Sequence, residues 1–177
     1  MTTFKPKFDK DLQDFLQKSL NCNVTIEWSE PISIDDFEEN ELLNEEDEIV
    51  DQCNVIYIFT GNDKEGDDAV DVGQTKRSLE VRTKEHLRVG DYLEGYSYNQ
   101  EVYCGKVKSK VHVDRDLLQQ VESIIIRTLE EKTRGTGTNV CNDLKTHSSK
   151  YNIGHIRNEN IPEKLKDFLP TYIPDKD

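Results

Sequence analysis

The sequence predicts an α/β (α+β) fold, a small mixed or antiparallel β-sheet flanked by helices. Three observations carry the expectation. The β-rich runs at 53–60 and 69–74 are separated by the turn-forming stretch Gly61 to Asp68, which reads as a hairpin. Residues 115–132 repeat Leu117, Leu118, Val121, Ile124, Ile125 and Leu129 at helical spacing, with Asp114 placed to cap them. A third strand-like run, Glu101 to Val107, falls between two helical stretches.

The remaining elements follow in chain order. Phe8, Leu12, Phe15, Leu16 and Leu20 predict an amphipathic helix over 8–20, and Asn23 to Ser29 alternates like a short strand. The acidic run from Glu30 to Asp51 carries Ile32, Ile34, Phe37, Leu42 and Leu43 as anchors, with a short helix expected near 35–44. Such a run reads as a solvated face or loop; the sharper alternative is a DNA-like surface that covers a basic groove or binds a protein. Thr75 or Ser78 can cap a polar helix reaching about Arg88. Residues 90–100 form a loop with three tyrosines, and Val111 to Val113 extends the third strand. Thr133 to Thr138 breaks the long helix, Tyr151 to Arg157 is a last strand, and Pro162 starts a short helix through Leu169. No repeat or low-complexity linker divides the chain, so a single compact domain is expected. It comprises an N-terminal elaboration (1–52), a main unit (53–158) and a C-terminal helix and tail (159–177).

A length of 177 residues suffices for one domain with a real core. No apolar run is long enough to span a bilayer, and the N-terminus has no signal-peptide character, so a cytoplasmic protein with no membrane partner is the expectation. Cys22, Cys53, Cys104 and Cys141 form no CxxC pair, which argues for free thiols over a zinc site or a disulfide framework. Net charge is −13, which opposes nucleic-acid binding on composition alone. The distribution of that charge points the other way. Residues 1–72 hold 5 Lys/Arg against 20 Asp/Glu, whereas residues 73–157 hold 15 against 11. A phosphate-binding face therefore remains possible in the second segment.

Between Cys53 and Asn158 lies an ordered set of residues. Tyr57 stands in Val55-Ile56-Tyr57; Asp71-Val72-Gly73-Gln74-Thr75 closes the second strand; Arg82 and His86 share a helix face at i,i+4; Glu122 and Asn142 follow. This set resembles the GIY-YIG nuclease superfamily. The resemblance implies a metal-dependent endonuclease that hydrolyses DNA phosphodiesters. It implies Tyr57, Arg82, His86, Glu122 and Asn142 as catalytic residues. Tyr57 would accept a proton from water, Arg82 would contact the scissile phosphate, and His86 would assist proton transfer. Glu122 would bind one divalent metal, Mg2+ or Mn2+, and Asn142, or Asn139 in a competing register, would orient the phosphate. Gly73, Gln74, Thr75, Arg77 and Asp71 are the candidate substrate contacts. A phenol has a pKa of about 10, so a base role needs positive charge beside Tyr57.

The chain departs from the family pattern at Val55 in the first motif and at Asp71, where a second tyrosine is usual. Asp71 can bind a cation or a water, or mark an inactive copy. The alternative function is therefore a catalytically inactive nuclease-like module that binds a protein or nucleic-acid partner, with residues 30–51 as the protein-binding candidate. Taken singly, Tyr57 reads as a packed strand tyrosine, Glu122 as a surface helix glutamate and Gly73 as a turn residue. With little room for a recognition domain, the chain must read DNA with its own loops (90–100 and 133–138), dimerise or borrow a partner.

Overall fold

The chain enters the sheet at β1 (Leu20–Trp28), in which Cys22, Val24, Ile26 and Trp28 are buried and the alternate residues are not. This period of two puts one face of the strand on the core and the other toward water. The computed structural model describes residues 20–33, 53–63, 65–88, 96–97, 101–141 and 151–174. β2 (Ile32–Ser33) is a short addition, and the hairpin expected from the sequence is β3 (Val55–Asp63) with β4 (Asp68–Thr75). Helix α1 (Leu79–Arg88) follows, then β5 (Tyr96–Ser97) and β6 (Glu101–Ser109). Helix α2 (Arg115–Thr133), β7 (Asn139–Val140), β8 (Tyr151–Glu159) and β9 (Tyr172–Pro174) complete the order.

The strands form one mixed sheet in the order β7-β4-β3-β6-β1-β8-β9, with β2 on β6 and β5 on β3. The β1–β8 and β4–β7 pairs are parallel and the others antiparallel. This is a strand-dominated α+β architecture. The larger core lies on one face, where Val24, Ile26, Ile56, Ile58 and Val72 meet the stripe of α2. The smaller core lies on the other face, where Val55, Tyr57, Phe59, Val102 and Cys104 meet Leu79 of α1. Alternation along β3 sends odd and even residues to opposite faces, so the two helices cover opposite sides of the hairpin.

α2 starts where its cap predicts: Asp114 accepts from Leu117 N at 3.0 Å. The other Asp114 oxygen accepts the Tyr151 hydroxyl at 2.9 Å, which ties the helix start to β8. Buried Asn158 accepts from Trp28 Nε1 at 3.0 Å and donates to Pro170 O at 2.8 Å. That pair satisfies two polar groups that burial would otherwise penalise.

Several local expectations are corrected. Leu20 opens β1 instead of closing a helix, and residues 8–19 lie outside the description, as does the helix expected near 35–44. β6 ends at Ser109; Val111 and Val113 pack against the larger core without extending the strand. The C-terminal helix reduces to a 3-10 turn, Glu163–Leu165, continued by i→i+3 bonds such as Phe168 N to Leu165 O. Pro162 starts it, and burial of Leu165 and Leu169 holds the segment against the core without a full helix. β1 lies between β6 and β8, so the residue 52/53 boundary does not interrupt the sheet.

Candidate functional site

Tyr57 lies opposite Gly73 in the β3–β4 register and is 1% exposed. Its ring crosses directly over the β4 backbone. A Cβ at Gly73 would stand 2.2 Å from both the hydroxyl and Cζ of Tyr57, a separation no side chain tolerates. Glycine is therefore required by the phenol and not, as the sequence suggested, by a strand exit, since β4 runs on to Thr75 and Gly73 is ordinary strand backbone. Asp71 is two residues back on the same face, opposite Phe59, whose ring meets Tyr57 edge-on at 5.2 Å.

The turn between β4 and α1 brings Arg82 onto the phenol. The buried Thr75 hydroxyl accepts from Arg77 N at 3.0 Å, Ser78 Oγ accepts from Val81 N at 3.3 Å, and buried Leu79 anchors the first helical turn. Of the two candidate caps, Ser78 serves the helix and Thr75 serves the turn. Arg82 Nε then donates to Tyr57 Oη at 3.0 Å across 25 residues of sequence. Glu85 takes Arg82 Nη1 at 3.3 Å and both terminal nitrogens of Arg77 at 2.6 Å. The two guanidiniums thus share one carboxylate. The bidentate geometry suits Arg77, which is 57% exposed on its side chain, and Arg77 holds the Glu85 carboxyl below its ordinary range.

The electrostatics of Tyr57 differ from the expectation for a base. Burial pushes the phenol above its ordinary value; Arg82 pulls it down through charge and hydrogen bond but does not prevail; Asp71 and Glu122 push it up further. The phenol stays protonated at neutral pH in this environment, so Arg82 alone does not make Tyr57 a base. The carboxylates concerned are Asp71, on β4, and Glu122, on α2. Both side chains are half-buried. Among the described residues, no group of three or more His, Cys, Asp or Glu is clustered for a metal. Mg2+ is commonly held by one or two carboxylates together with waters and substrate phosphate, and Asp71 and Glu122 are the two acids whose charge bears on Tyr57.

The structure therefore brings together Tyr57, Asp71, Gly73, Arg77 and Arg82, while Glu122 on α2 bears on the phenol through its charge. It does not bring Gln74 to the same place: Gln74 pairs with Ile56 and alternates to the α2 face of the sheet. The backbone of His86 lies in α1 one turn beyond Arg82, and its side chain is not described. Asn142 lies outside the described residues; Asn139, its rival register, is in β7 opposite Ala69. Of the two candidate recognition loops, Thr133 to Thr138 closes with Thr136 N donating to Thr133 O at 3.0 Å, whereas most of 90–100 is outside the description. Glu85 went unrecognised in the sequence. Its signal was the i,i+3 spacing from Arg82, which is common on surface helices. No protein-family model, curated protein or solved structure matches the chain.

Proposed function

We propose that the chain is a metal-dependent endonuclease of GIY-YIG type that hydrolyses DNA phosphodiesters. The observation that carries this reading is the Arg82–Tyr57 hydrogen bond built over Gly73, because it joins three separate motif positions at one point. In this reading Arg82 neutralises charge developing on the scissile phosphate, with Tyr57 and Glu85 fixing the guanidinium plane. Two partners already hold the planar fork, so little side-chain freedom is lost when a phosphate arrives. Tyr57 accepts from Arg82 and keeps its own proton, which it can donate to a phosphate oxygen. Glu122 and Asp71 would hold Mg2+ or Mn2+, which supplies Lewis acidity and an acidified water when bound. A cation there would offset the two negative charges that add to the effect of burial on the phenol.

The test is a time course on supercoiled plasmid with Mg2+ or Mn2+, comparing wild type with Glu122→Ala. Nicking or linearisation by wild type alone is the expected result; equal cutting by the variant removes Glu122 from the mechanism. A second reading, a non-catalytic module that binds a protein or nucleic acid, is favoured by Asp71 and the deeply buried, protonated Tyr57. It prevails if wild type cuts neither duplex nor branched DNA. Its candidate protein-binding run, 30–51, is described only through Ser33.

A further inference from the structure

The sheet face that carries Tyr57 does not end at the site. Tyr57 pairs with Cys104 of β6, and Lys106 and Lys108 continue the same face of that strand. On β1, Glu27 and Thr25 stand opposite Lys106 and Lys108, and Asn21 and Asn23 extend the row. Beyond β1, Asn152 of β8 donates to Asn21 Oδ1 at 2.9 Å. Together these strands form a groove of about 540 Å³, lined among others by Asn21, Asn23, Thr25, Lys108, Lys110 and Asn152. None of its described lining residues is a carboxylate. Amides, hydroxyls and ammonium groups are the chemistry of phosphate-backbone contact, and Glu27 stands beside the lining, paired with Lys108.

We propose that this groove docks the DNA backbone flanking the scissile phosphate, an inference that rests on the nuclease reading of the Tyr57–Arg82 site. Two arguments select DNA as the occupant. Lys108 and Thr25 lie on the sheet face that carries Tyr57, and strand rise is roughly 3.3 Å per residue, so Lys108 lies roughly 13 Å along β6 from the residue paired with Tyr57. That distance corresponds to a few nucleotides of one strand. The second argument is charge complementarity, since Lys108 and Lys110 face a groove lined without carboxylates, in a chain whose net charge is −13. Lys108 is ion-paired to Glu27 at the groove margin and its side chain is still 54% exposed. Phosphate must compete with Glu27 for that ammonium, so Glu27 limits the affinity.

The experiment measures binding of a short labelled duplex by fluorescence anisotropy in EDTA, over a range of salt. It compares wild type, Lys108→Gln/Lys110→Gln, Glu27→Gln and Glu122→Ala, all full-length. The lysine variant is expected to bind about tenfold more weakly at low salt, with a salt slope shallower by about two. Glu27→Gln is expected to bind more tightly than wild type. Wild-type affinity and slope in the lysine variant would overturn the proposal. So would tighter binding of polyglutamate than of duplex through the same lysines, which would make the occupant an acidic peptide. Plasmid nicking separates the two levels. Lysine-dependent binding without any nicking by wild type removes the nuclease reading and leaves the groove. Nicking by wild type, with unaltered binding by the lysine variant, does the reverse.

Discussion

Gly73 is the residue at which sequence and site depend most directly on each other. A methyl group there would collide with the Tyr57 hydroxyl and ring carbon. Gly73→Ala must therefore displace a side chain buried in the smaller core, at a cost of about 1–3 kcal/mol. Urea denaturation should show that loss, and Tyr57→Phe/Gly73→Ala should recover little of it, because the ring carbon still clashes. Glu85 offers a different kind of test. It touches no expected reacting atom but orients both Arg77 and Arg82. Glu85→Gln keeps the shape and weakens the charge-assisted bonds, so plasmid cleavage should fall mainly in kcat while the melting temperature stays near that of wild type. An unchanged kcat would show that Tyr57 alone positions Arg82. That Tyr57, Gly73 and Arg82 belong together was suggested by their order and spacing, and they do meet at one point. Glu85 was not legible, because its meaning depends on where Arg77 returns after the turn.

Elements were most legible where one periodic signal and one cap agreed. α2 has a continuous apolar stripe and an aspartate at its N-cap, and both act as the sequence indicates. Asp114 also receives the Tyr151 hydroxyl, so its removal breaks more than a cap. Asp114→Ala should cost about 1–2 kcal/mol in chemical denaturation, and Asp114→Asn less, since the amide oxygen still accepts from Leu117 N. β7 and β9 were not legible. They are two and three residues long, and such short runs carry no alternation to read. They exist because an already formed strand offers its edge: β4 to Asn139–Val140, and β8 to Tyr172–Pro174. The C-terminal helix failed for a related reason. Its apolar residues are satisfied by docking Leu165 and Leu169, and no further helical turn is needed to bury them.

The whole molecule is organised around β1, which has β6 on one side and β8 on the other. A fragment beginning at residue 53 would leave two long strand edges unpaired and Trp28's partner Asn158 unsatisfied. It should fail to fold cooperatively, as judged by circular dichroism and dispersion of amide resonances; a folded fragment would show that β1 is dispensable. Alkaline pH tests the core as a unit. Burial raises the Cys104 thiol to about 12 and also raises the Cys22 thiol and the Tyr57 and Tyr103 phenols. Each folded group holds its proton more tightly than the unfolded chain does. The stabilisation is thus complete below the unfolded values, about 9 for Cys and 10 for Tyr, and is lost as pH rises through the folded ones. Unfolding free energy should fall steadily above pH about 9. The sequence by itself determined the α+β class, the β3–β4 hairpin and helix α2, because alternation, helical period and capping are local properties. Only the tertiary structure decided that β1 is an interior strand, that Arg82 meets a buried phenol over Gly73, and that Lys108 shares its sheet face. Strand pairing over long separations and the desolvation of a side chain depend on the assembled sheet, and no local pattern encodes them.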